Sequence, residues 1–220
     1  MKKYIYSLLA GAMLASAGCE SNLDLNNPNI PTTGTFWKTE SDAVAAVNSI
    51  YNSLMIDGTY MRMYPSLMDG RGDDVQGDSP WPDLMLVANF TIPTTSGPVF
   101  WVWGAHYQMV WRANQVLTNV PNIEMDQNLK KRVLGQAYFL RGLAYFNIAN
   151  FYKEVPLITT LPADRSEFYP ETATEEAIWE QIISDFTNAK ANLPVNYQNV
   201  TGPDQGNIGR ATSGAATGML

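Results

Sequence analysis

This 220-residue sequence holds one cysteine, one histidine and few charges. The lone Cys19 excludes a disulfide framework and a thiolate-based structural zinc site. The lone His106 excludes His₃ and HExxH zinc sites and leaves little room for histidine-dependent catalysis. Charged residues make up 16%, below the ~25% of ordinary domains. Their balance is acidic, with a net charge of −7. An acidic chain has no electrostatic footprint for nucleic acid, so that partner class is excluded. No Gly-rich phosphate loop occurs. Asp69-Gly-Arg-Gly-Asp-Asp is no EF-hand, because Arg71 and Asp74 take the third and sixth places and no Glu closes the loop. No motif asks for a cofactor. What the chain does have is 45% hydrophobic and 11% aromatic residues, with six Trp and eleven Tyr. That composition supports a buried core and argues against disorder.

The first residues read as an address. Lys2 and Lys3 precede a mostly apolar run of thirteen residues, Ile5 to Ala17. A membrane span needs roughly 20 residues, so the run is the h-region of a lipoprotein signal peptide over residues 1–18. Ser16, Ala17 and Gly18 lead to Cys19, which is expected to become the lipidated N-terminus. The usual Leu three positions before that Cys is Ser16 here. Cleavage removes Lys2 and Lys3 and takes the formal charge from −7 to −9. Several acyl chains on one Cys anchor a protein without spanning the bilayer. Residues 19–36 are rich in Asn, Pro and Thr and read as an extended tether.

Residues 37–220 read as one helical domain. Thr39, with Asp42 three residues on, caps a first helix to Met55. Pro98 opens a second helix to Asn119, carrying Trp103, Tyr107, Val110, Trp111, Asn114 and Leu117 at helical steps. Asp126 caps a third, whose stripe includes Leu140, Ala144 and Ile148. Thr172, with Glu175, caps a fourth, with Ile182 and Phe186 on its inner face. A fifth opens at Thr212, and the sequence stops at Leu220 with no stop signal, as a truncated chain would. Between them, Met68 to Pro98 is dense in Gly and Pro and reads as a loop of about 30 residues with a short strand near Leu84–Thr91. The expected fold is all-α, with TPR-like antiparallel helix pairs and one long loop-rich insertion. Phe186, Ala189 and Pro194 match the tail of a tetratricopeptide repeat.

Several segments, in order, resemble the SusD/RagB family of outer-membrane lipoproteins. Cys19 is followed by Leu23-Asp-Leu-Asn-Asn-Pro-Asn29. Phe36-Trp37 leads into the first helix. Trp103-x-x-x-Tyr107 precedes Arg112-Ala113-Asn114. The strongest segment is Leu140-Arg141-Gly142-Leu143-Ala144-Tyr145-Phe146, continuing to Phe151-Tyr152-Lys153-Glu154-Val155-Pro156-Leu157. Gly209-Arg210-Ala211-Thr212 is the last. The resemblance implies a glycan-binding protein at the outer membrane, held through its lipid anchor and surface-exposed. Its partner would be a TonB-dependent SusC-like transporter, to which it passes oligosaccharides. It also implies a larger C-terminal part that this sequence does not contain.

An enzyme is not expected. A glycosidase needs two carboxylates facing across the scissile bond, whereas Asp73 and Asp74 are adjacent and point apart. His106 sits in a helix that reads as structural. Sugar binding needs less: an aromatic ring for the C–H face of a pyranose, and planar polar groups for its hydroxyls. The long loop carries both. Trp81, between Pro80 and Pro82, is the candidate platform, with Arg71, Asp73, Asp74 and Asp78 as hydroxyl partners. Trp81 could equally plug the loop onto the helices. Trp101, Trp103 and Trp111 read as core. The alternative reading is a TPR-type scaffold lipoprotein whose helix grooves bind another protein.

Overall fold

The computed structural model describes residues 35–75 and 81–220; Cys19, the signal segment, nearly all of the tether, Pro80 and Asp78 lie outside the described residues. Contacts divide the chain after Phe36, and Trp37–Leu220 carries every described helix. Seven α-helices occur among the described residues: α1 (Glu40–Asn52), α2 (Met63–Asp69), α3 (Pro82–Ala88), α4 (Gly97–Asn119), α5 (Gln127–Tyr152), α6 (Glu175–Asn192) and α7 (Ser213–Met219). The only extended pairing among them is one antiparallel bridge between Pro156 and Thr172. The all-α reading holds.

Helix starts follow side-chain chemistry. The Thr39 hydroxyl accepts from the Asp42 N–H at 3.2 Å, and the Asp42 carboxylate accepts from the Thr39 N–H at 2.8 Å, closing the expected capping box of α1. Asp126 accepts from the Leu129 N–H at 2.8 Å to cap α5. The cap of α6 is Thr174 and not Thr172, since the Thr174 hydroxyl accepts from Ala177 N–H. Thr172 is unavailable because its backbone pairs with Pro156.

The structure corrects the expected loop at Met68–Pro98. Residues 84–88 belong to α3 and not to a strand. Pro82 starts this helix at its first position, where a missing N–H costs nothing. The breaker is here an initiator. Upstream, a π-turn at Asp57–Met61 and then α2 fill a segment whose sequence carries no clear period. A Cβ on Gly58 would meet the Trp101 carbonyl oxygen at 2.2 Å, so only glycine lets this turn lie against α4.

Successive long helices run antiparallel, as their paired residues show. Arg112 on α4 donates to the Ser49 carbonyl near the end of α1, while Gly58 lies by Trp101. Asn114 meets Arg141 and His106 meets Asn147, so α4 and α5 run oppositely. A Cβ on Gly142 would touch Asp185 and Phe186, and one on Gly135 would touch Asn192 and Leu193, which orients α6 against α5. Leu140, Ala144, Ile148, Ile182 and Phe186 are all buried, as their periodicity predicts.

Two of the three tryptophans expected in the core are not there. Trp101 is 40% exposed and Trp111 44% exposed. The buried face of α4 instead carries Val102, Ala105, Met109, Val110, Ala113 and Val116. This helix is flanked by α1 and α5 together, and small residues let both approach.

The segments that carry the family resemblance are clips. Arg141 is buried and donates to both carboxylate oxygens of Asp185 at 2.9 and 2.7 Å, to the Asn114 amide oxygen at 2.8 Å and to the Thr159 carbonyl at 3.1 Å. Burial holds the Asp185 carboxyl above its ordinary value, against the opposing pull of Arg141 and Gln181. The Tyr145 hydroxyl holds both the carbonyl and the N–H of Ile158, at 3.0 and 2.7 Å. Tyr107 donates to the Pro156 carbonyl at 2.7 Å. Arg210 donates to Gln136 on α5 and to Asn48 on α1, each at 2.8 Å. A second buried pair joins Arg132 to Asp204 at 2.7 Å.

His106 is part of the core. Its Nδ1 donates to the Val102 carbonyl at 2.8 Å, and its Nε2 accepts from the Asn147 amide at 3.1 Å. Only the neutral Nδ1–H form fits both bonds. Burial lowers its pKa accordingly.

Candidate functional site

Trp81 sits at the N-cap of α3 with extended backbone (φ −102°, ψ 107°), as a residue before proline must. Its ring packs edge-to-face on Trp101, with centroids 5.4 Å apart and planes at 62°. One side of this pair rests on the buried cluster of Met63, Leu67, Val87 and Val102. Trp81 is therefore half plug and half surface, and Trp101 extends it outward. The Arg62 guanidinium lies 4.6 Å from the centroid of the Trp81 ring, a cation–π contact. Arg62 is itself ion-paired with Asp57 from the π-turn.

The other sequence candidates behave differently. Arg71 turns back along α2: its Nε donates to the Leu67 carbonyl at 3.0 Å, and its guanidinium lies 4.8 Å from the Phe151 centroid. The cation on Trp81 is thus Arg62, which sequence spacing does not reveal. Asp73 and Asp74 are exposed in the turn after α2, and no hydrogen bond or ion pair joins them to Trp81 or Arg62 among the described residues. Asp78 lies outside the described residues.

A further aromatic stands at the opposite end of α3. The helix closes with the Thr91 N–H on the Leu86 carbonyl at 2.9 Å and the Phe90 N–H on the Val87 carbonyl at 3.1 Å. This is a Schellman closure, which places the intervening residue in the left-handed region and normally recruits glycine. Here that residue is Phe90, at φ 56°, and its ring is 71% exposed. The conformation costs an L-residue roughly 1–2 kcal/mol, and a residue 71% exposed recovers little of it by burial. A helix rises about 1.5 Å per residue, so Trp81 and Phe90 bracket α3 at roughly 13 Å. The sequence supplies only their offset, and the expected strand would have placed them quite differently.

Together these features define a TPR-like helical-hairpin domain with an aromatic surface around α3 and the start of α4. The chain belongs to the SusD-like family: residues 23–220 match the family model described as "Starch-binding associating with outer membrane". SusD-like protein P2 of Formosa agariphila is 32% identical over 197 residues, covering 88% of this chain and 39% of that protein. A SusD-like protein of Bacteroides ovatus is 26% identical, over 100% of this chain and 38% of its own length. Among solved structures, a laminarin-binding SusD-like protein superposes with TM-score 0.68 at 32% identity, over 81% of this chain and 38% of the other. A SusD superfamily protein from Bacteroides vulgatus reaches TM-score 0.73 at 26% identity, over 84% and 39%. The chain thus spans about two fifths of the length of the relatives it matches. Among the described residues no helix is long and apolar enough to cross a membrane, and no cluster of His, Cys, Asp and Glu could hold a metal ion.

Proposed function

We propose that this chain belongs to a glycan-binding lipoprotein of the cell surface, anchored through Cys19 to the outer membrane, that captures oligosaccharides and hands them to a TonB-dependent SusC-like transporter. Family membership supports glycan capture, as does the laminarin-binding relative at 32% identity. The observation that carries the site is Phe90, an exposed aromatic held in a backbone conformation built for glycine, on the same short helix as Trp81.

In this reading Trp81 and Phe90 stack on sugar rings, Arg62 and Asp57 offer planar hydrogen-bonding groups, and Asp73, Asp74, Arg71 and Asp78 reach hydroxyls further along the ligand. Aromatic stacking contributes about 0.5–1.5 kcal/mol beyond burial. Loss of one platform therefore weakens binding roughly two- to ten-fold. Calorimetry with maltoheptaose and laminarihexaose on the full-length protein, as wild type, Trp81→Ala and Phe90→Ala, tests this. Unchanged affinity in both folded variants would remove the site from α3. The anchor is tested separately: a fatty-acid analogue labels the wild type and not Cys19→Ser.

A further inference from the structure

The α5–α6 connection, residues 156–172, forms a closed loop. Its base is pinned by the Pro156–Thr172 bridge and by the Ala173 N–H on the Val155 carbonyl at 2.9 Å. Between this loop and α4 lies a groove of about 510 Å³, lined by Trp111, Ile158, Thr159, Thr160, Glu167 and Phe168 among others. That volume falls within the ~300–1,000 Å³ of small-ligand sites.

On its floor, side chains of α4 and α5 hydrogen-bond the backbone of this connection at Pro156, Ile158 and Thr159. Asn114 and Tyr145 hold Ile158, Arg141 holds Thr159 and Tyr107 holds Pro156. All four clamping side chains are themselves tied together, Asn114 and Arg141 through the buried network around Asp185 and Tyr107 and Tyr145 through their ring contact. The walls are aromatic and open: Trp111 is 44% exposed and Phe168 57% exposed. Trp111 makes no hydrogen bond, and neither do the hydroxyls of Thr159 and Thr160, among the described residues. Glu167 spends one oxygen on the Ala163 N–H at 2.9 Å.

We propose that this groove is a second glycan-contact site, separate from the α3 surface, and that it takes neutral oligosaccharides. Two exposed rings supply stacking faces, two threonine hydroxyls and one carboxylate supply hydroxyl partners, and the pinned floor lowers the ordering cost of binding. The lining holds no Lys, Arg or His and one carboxylate, so a sulfated or uronic sugar would meet like charge with no cation to offset it. This differs from the α3 surface, where Arg62 lies over the ring. The second site rests on the same glycan-binding reading but on other residues.

Hydroxyl-radical footprinting of the full-length protein tests it, with maltoheptaose, laminarihexaose and a sulfated carrageenan oligosaccharide as probes. The expected result is protection of Trp111 and Phe168 by at least one neutral probe and none by the sulfated one. In a Trp81→Ala background, Trp111→Ala with Phe168→Ala should weaken the residual affinity roughly ten-fold. Protection of Trp81 and Phe90 without Trp111 would overturn the second site and leave the first standing. Protection of neither region would overturn both. A Trp111 that resists oxidation without any sugar is covered in the whole protein, and that too would overturn the proposal.

Discussion

Two arginines show how differently this molecule uses one kind of side chain. Arg141 is 6% exposed at its side chain and spends four hydrogen bonds on Asp185, Asn114 and Thr159. Arg62 is 47% exposed at its side chain and lies 4.6 Å from the Trp81 ring centroid, ion-paired with Asp57. A guanidinium has five N–H donors. Arg141 has little left to give a ligand, so it locks three helices and a loop together. Arg62 keeps a face and donors toward solvent. Arg141 thus fastens buried elements to one another, whereas Arg62 sits at the surface beside Trp81.

The sharpest way to break this contrast is to remove a buried partner. Asp185→Ala strands a buried guanidinium and should cost about 3–5 kcal/mol in urea unfolding. Arg62→Ala, at an exposed and solvent-screened pair, should cost far less. Equal losses in the two variants would erase the distinction. Crowding the hairpin comes next. Gly142→Leu drives side-chain atoms into Asp185 and Phe186, whose nearest atoms lie 3.2–3.3 Å from the added Cβ. The expected loss is about 1–3 kcal/mol, read as a lower melting temperature.

A third test uses pH. The folded state holds His106 neutral, with its pKa below the ordinary 6.5. The unfolded chain therefore takes up a proton first as pH falls. The His106 contribution is intact above pH 6.5 and is lost progressively below it, by up to ~1.4 kcal/mol per pH unit. His106→Gln should flatten the slope of stability between pH 6.5 and 5; an identical slope would show that the imidazole titrates without cost. The smallest expected effect belongs to the end of α3. Phe90→Gly relieves the left-handed strain and gives some of it back as chain entropy, for a gain of up to ~1 kcal/mol. Stability should hold or rise while glycan affinity falls. A loss of stability instead would make the ring a packing residue.

Where apolar spacing is regular, the sequence is legible. Thr39 and Asp126 cap the helices they are expected to cap, and the Leu140–Ala144–Ile148 stripe lies in the core. Legibility fails at three kinds of place, each for a physical reason. Pro82 reads as a breaker because a proline says nothing by itself about whether it ends a helix or begins one. Trp101 and Trp111 read as core because helical spacing gives a stripe but not its width, and α4 has two neighbours. Arg62 stays hidden because nothing local ties it to a tryptophan nineteen positions away. The same limit hides the groove at Trp111, which exists only where a loop far along the chain closes over α4.

The Arg210 clip carries a consequence for how the molecule closes. The Tyr51 hydroxyl accepts from the Ala211 N–H across 160 positions, and Asn48 meets Arg210 across 162. The Arg141–Asp185 clip spans only 44. In a chain that emerges from one end, at roughly 5–20 residues per second, α1 waits on the order of ten to thirty seconds for these partners. The hairpin can assemble meanwhile. Arg112 fastens the end of the first helix earlier, across 63 positions, while Asn48 and Tyr51 stay hydrated until residues 210 and 211 arrive.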